Sequence, residues 1–75
     1  MPERKSIIAV SSVTYAMKGA DILQKSGIRR RVTKIKPDKT KKGCTYGIAV
    51  DTSDTENAAR LLKIGGVPYS EIING

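Results

Sequence analysis

Two strand-then-helix signatures follow one another in this chain, and each leads into another β-rich run. That order leaves few folds open. "SIIAVSS" is a short apolar run ending in serines and predicts a buried strand over Ser6 to Ser11. From Val13 the spacing changes. Val13, Ala16, Met17, Ala20 and Leu23 recur at helical intervals, Ser11 or Ser12 can cap the start, and Gly27 supplies a stop. Arg30 to Lys36 is β-branched and basic. Its cations suit an edge strand, because they discourage pairing with other chains. Pro37 and Asp38 end that strand, and Lys39 to Gly43 is a polar loop. Tyr46, Ile48 and Val50 then alternate with Thr45, Gly47 and Ala49, as in a half-buried strand. Ser53 and Glu56 are spaced for a capping box, and Ala58, Ala59, Leu61 and Leu62 form the inner side of a second helix. Gly65 and Gly66 follow it, and Pro68 leads into a last short strand over Tyr69 to Ile73.

The order β-α-β-β-α-β in 75 residues predicts one α+β domain spanning residues 1–75. The expected architecture is a ferredoxin-like two-layer sandwich, with two helices on an antiparallel sheet of order 4-1-3-2. A chain this short buries only about 60% of its unfolded surface, so its core is thin. Small secreted domains offset that with several disulfides, but this chain has a single cysteine. A reducing, cytoplasmic compartment is therefore expected. The longest apolar run near the start, Ile7 to Val10, is too short for a signal peptide or a membrane span.

The predicted topology gives the cysteine a neighbourhood. Strands one and two run parallel, and strand three returns antiparallel between them. The start of strand three then shares a sheet end with the end of strand one, where the first helix begins. Cys44, in "KKGCTYGIAV", should lie near "SSVT", Ser11 to Thr14. A helix N-terminus carries unpaired N–H groups and roughly half a positive charge, which favour a thiolate over a thiol. Lys41 and Lys42 act in the same direction. No acidic residue stands in the first turn of this helix, the first being Asp21, whereas Asp54 and Glu56 occupy the start of the second. Gly43 and Gly47 should keep the backbone near Cys44 uncrowded and open to another molecule. The candidate site is thus Cys44 as the reactive group, with Ser11, Ser12, Thr14, Lys41, Lys42, Gly43 and Gly47 stabilising its thiolate or docking a partner. The plain alternative is a cysteine buried as a small hydrophobe, with the serines and threonine as simple caps.

Absent residues narrow the chemistry. There is no histidine, hence no Cys-His hydrolytic pair and no common zinc set. There is no second cysteine to resolve a disulfide. No glycine-rich phosphate loop appears, and no cofactor or metal is expected. A lone activated thiol can still carry a persulfide, a selenosulfide or a mixed disulfide, loaded and unloaded by partners.

These residues resemble a family. The similarity runs from "IIAVSSVTYAMKGADILQKSGI" through "KGCTYGIAV" to "ENAARLLKIGGVPY", and it is to the selenium/sulfur carrier protein-like family of small bacterial domains. The shared features are Ser11 and Ser12 after the first strand, the Ala16–Ala20–Leu23 face, Gly27-Ile28, and Cys44 between Gly43 and Gly47. The chain departs from the pattern in having Thr45, not glycine, directly after the cysteine. The resemblance implies a bacterial cytoplasmic carrier, more an accessory protein than an enzyme, with Cys44 accepting sulfur or selenium from a donor protein and passing it to an acceptor.

Two other functions fit parts of the chain. The formal charge of +7 and the fold class suit an RNA-binding module. Such modules stack bases on aromatics of the central strands, and here only Tyr46 is offered there, which makes nucleic acid the weaker expectation. A structural or assembly role would use the open sheet face. Ile7 to Val10 is apolar on both sides of its strand, so that face invites a protein partner or a homodimer.

Overall fold

The structure is a computed structural model and describes residues 5–36, 38 and 45–74. The elements are β1 (Lys5–Val10), α1 (Val13–Lys25), β2 (Arg30–Lys34), β3 (Tyr46–Asp51), a 3-10 turn (Thr52–Asp54), α2 (Thr55–Ile64) and β4 (Glu71–Asn74). β1 pairs antiparallel with both β3 and β4, and β3 pairs antiparallel with β2. The sheet order is β2-β3-β1-β4, which counted from the other edge is 4-1-3-2. β2 is an edge strand, as its cations predict.

Both helices cover one face of this sheet. Ile8 and Val10 of β1 and Ile48 and Val50 of β3 form one cluster with Ala16 and Leu23 of α1 and Ala58 and Leu62 of α2. All eight are essentially without solvent contact. The period-2 alternation of β3 and the helical spacing of Ala16 and Leu23 thus converge on the same layer. Val13 and Met17, read from the same spacing as core, are not part of it. They are 42% and 63% exposed. The apolar stripe of α1 is narrower than its sequence pattern, because the sheet reaches only the Ala16–Leu23 side.

Both helices stop in the same way. Ile28 N–H donates to Leu23 O at 2.9 Å and Gly27 N–H to Gln24 O at 3.0 Å, while Gly27 takes φ 76°. Val67 and Gly66 repeat the arrangement on Leu62 O and Lys63 O, with Gly66 at φ 77°. This double hydrogen bond across a left-handed glycine closes both helices and turns Ile28 and Val67 back to the core.

Their starts differ, and here one expectation fails. The capping box of Ser53 and Glu56 does not form. Thr52–Asp54 tightens into a 3-10 turn, so α2 begins only at Thr55, with Asp54 at its N-cap and no side-chain cap bond. Ser53 lies inside that turn and lacks the extended N-cap backbone from which a serine reaches forward. The other strand limits shift slightly. β1 starts at Lys5 and ends before Ser11, β2 stops at Lys34, and β4 begins at Glu71. Ser70 spends its N–H on Ala9 O at 2.9 Å, just ahead of the Glu71–Ala9 pair.

The second sheet face carries a small cluster of its own. Ala9 is fully buried and Ile35 is 6% exposed, with Ile7 and Ile73 packed against them. Long isoleucines lie over small residues, and Ile7, Ala49 and Ile73 stay only half-buried, so the face keeps some apolar surface.

Candidate functional site

The described part of the site is built at the end of β1. Val10 is the last strand residue and pairs with Tyr46, the first residue of β3. The chain bends through Ser11 and Ser12, and α1 starts at Val13. Ser12 has extended backbone (φ −152°, ψ 159°), and its hydroxyl accepts from Tyr15 N–H at 3.2 Å. Its carbonyl accepts from Ala16 N–H at 3.1 Å, the first bond of the helix. Serine is therefore the N-cap, and the remaining N–H groups of the first turn face outward from the sheet end. No acidic residue stands in that turn, and Ser11 and Thr14 are exposed beside it.

The start of β3 is at the same end. Thr45 O accepts from Ile35 N–H at 2.8 Å, which extends the β2–β3 ladder past Tyr46. Thr45 is the residue after Cys44 in sequence. Cys44 itself, with Lys41, Lys42 and Gly43, lies outside the described residues, as do Pro37 and Lys39 and Thr40 of the polar loop. Of the predicted site, the structure thus brings together Ser11, Ser12 and Thr14 at the sheet end where β3 begins.

Gly47 plays a different part from the one predicted. It is buried, and a Cβ at this position would stand 2.5 Å from Ile7 Cγ2 and 2.7 Å from Ile35 Cδ1. The space above it is filled, not open. Gly47 lets two isoleucines close over the second sheet face, which is a packing role. Only the alternation in β3 hinted at this, by putting Gly47 opposite the helix side.

Nor does the sheet offer a stacking platform. Tyr46 shares a face with Val10 and packs against the helix-side core, as do Tyr15 and Tyr69. On the other face, β1 and β3 present Ile7, Ala9, Gly47 and Ala49. Base stacking in the manner of sheet-based RNA modules has no aromatic to use there. Among the described residues, no three side chains are grouped to hold a metal ion, and no helix is long and apolar enough to cross a membrane.

A family model described as "Putative Se/S carrier protein-like" matches residues 5–74. The chain belongs to that family. The match runs through every strand and helix of the sandwich and across the cysteine. No curated protein and no solved structure matches the chain.

Proposed function

We propose that this protein is a carrier of reactive sulfur or selenium, held covalently on Cys44. The family match carries the reading. The serine-capped, acid-free start of α1, at the sheet end where β3 begins, supports it. In this reading the architecture is ferredoxin-like, and Cys44 sits across from Ser11, Ser12 and Thr14. The helix N-terminus and the lysines Lys41 and Lys42 hold the sulfur as thiolate.

The chemistry is a transfer of one neutral sulfur atom. The Cys44 thiolate attacks the outer sulfur of a donor persulfide. A Cys44 Sγ–S bond forms, the donor S–S bond breaks, and the donor leaves as its thiolate with the bonding pair. A proton lost or gained with solvent completes the balance, and no external oxidant is needed. Selenium follows the same course to a selenosulfide. Donor and acceptor proteins are the partners, and the bacterial cytoplasm, where a lone thiol stays reduced, is the compartment. The protein has no turnover of its own in this scheme.

Incubation with a cysteine desulfurase and free cysteine, followed by intact mass, tests it. The expected result is one added sulfur atom on the wild type and none on Cys44→Ala. Equal gain by both proteins, or none by the wild type, ends the proposal.

A further inference from the structure

Ile64 of α2 and Ile72 of β4 are exposed singly, but three other exposed apolar side chains lie along one side of α1. Besides Val13 and Met17, Val32 of the edge strand is 38% exposed. Their relative placement follows from the packing. Ile22 points to the end of α2, because a Cβ on its C-cap Gly65 would collide with Ile22 Cδ1. At about 100° per residue, Met17 lies about 140° and Val13 about 180° around the helix from Ile22. With Ala16 and Leu23 turned to the sheet, Val13 and Met17 flank α1 on the side away from α2, which is the β2 side. Val32 pairs with Ile48 of the core, so it faces the same helix layer. The three line a groove between α1 and β2.

Cations frame this groove. Arg30 pairs with Val50 and Lys34 with Tyr46, so both share the face of Val32, one on each side of it. Val13 is the first residue of α1, directly after the Ser12 cap. The groove therefore runs up to the sheet end where β3 begins.

We infer that this groove is the docking surface for an acidic protein partner that loads or unloads Cys44, an inference that rests on the carrier reading above. The flanking cations select a negatively charged occupant. The exposed methionine and valines select a protein over a nucleic acid, since phosphates need no apolar contact and an adaptable methionine suits a protein groove. A second copy of this chain is disfavoured, because each carries +7. Seating beside the α1 start brings the partner's reactive sulfur to the end of the sheet from which Cys44 follows in sequence.

Loading of Cys44 is measured by two routes, from a persulfidated cysteine desulfurase and from inorganic polysulfide, which needs no docking. The wild type is compared with Met17→Glu and with the pair Arg30→Glu and Lys34→Glu, each checked for folding by circular dichroism. The charge reversal is expected to slow enzyme loading about tenfold and to leave polysulfide loading unchanged. Met17→Glu is expected to slow enzyme loading as well. Three results overturn the inference: variants loaded by the enzyme as fast as the wild type, both routes slowed equally, or a wild type loaded by polysulfide but not by the enzyme. The last leaves the carrier reading standing, whereas a wild type loaded by neither route removes both. A mixed-sequence RNA oligonucleotide that binds at about 0.15 M salt and is lost on charge reversal, with enzyme loading intact, reassigns the groove to nucleic acid.

Discussion

The two helices end alike and begin differently. Each closes on a left-handed glycine with the same pair of hydrogen bonds, Ile28 and Gly27 on one, Val67 and Gly66 on the other. That end is a structural necessity, since a helix needs its last carbonyls satisfied whatever the protein does. The beginnings are not equivalent. α1 starts from a serine cap with no acid in its first turn, while α2 follows a 3-10 turn with Asp54 at its N-cap and Glu56 in the first turn. α2 answers its own positive end with carboxylates. α1 leaves its positive end to be answered from outside the helix, at the sheet end where β3 starts. The lesson is that the shared feature reports folding, and the unshared one marks the candidate site.

Substitutions can break that comparison in order of effect. The largest is expected within the body of α1, where Gly19 meets α2. A Cβ there would stand 2.6 Å from Ile48 Cδ1 and 2.8 Å from Leu62 Cδ2. Gly19→Val should lower stability by about 1–3 kcal/mol, read by urea denaturation, with thiol chemistry unaffected in the folded fraction. An unchanged midpoint would show that the helices do not pack this closely.

Next come the caps. Ser12→Ala should cost about 1 kcal/mol, because Tyr15 N–H loses its acceptor. Ser53→Ala should cost less than about 0.5 kcal/mol, because Ser53 caps nothing. Equal losses in the same denaturation series would remove the asymmetry between the two starts.

The smallest effect is the most telling for function. Thr14→Glu makes the α1 start resemble that of α2. The acid should stabilise the helix by about 0.3–1 kcal/mol. The same charge should disfavour the Cys44 thiolate, raise the thiol's pKa and slow its alkylation near neutral pH by a factor of about 2 to 5, the kinetic counterpart of that energy. Stabilisation with unchanged alkylation would separate Cys44 from the α1 start.

Much of this was legible from residue types. The element order, a serine cap at Ser11 or Ser12, the two glycine stops and the basic edge strand all rest on local rules that read directly from spacing. The failures have two origins. Ser53 and Glu56 satisfy the capping pattern, yet the exit from β3 tightens into a 3-10 turn first. Gly47 reads as a gap, yet Ile7 of β1 and Ile35, just past β2, fill it. Met17 lies at core spacing, yet it is 63% exposed, because the sheet lies on the Ala16–Leu23 side of α1. The Ser53 case is a local turn that competes with the capping pattern, whereas Gly47 and Met17 are decided by packing between segments distant in sequence, which no local pattern encodes.

By itself, then, the sequence determined the alternation of strands and helices, the glycine stops of both helices, the net charge and the presence of one thiol. Those follow from backbone propensity and side-chain chemistry acting over a few residues. Only the tertiary structure decided which apolar residues are core and that Gly47 lies beneath Ile7 and Ile35 on the second sheet face. Burial and adjacency are set by packing between segments tens of residues apart, and the free energy that selects among such packings is a property of the whole sandwich.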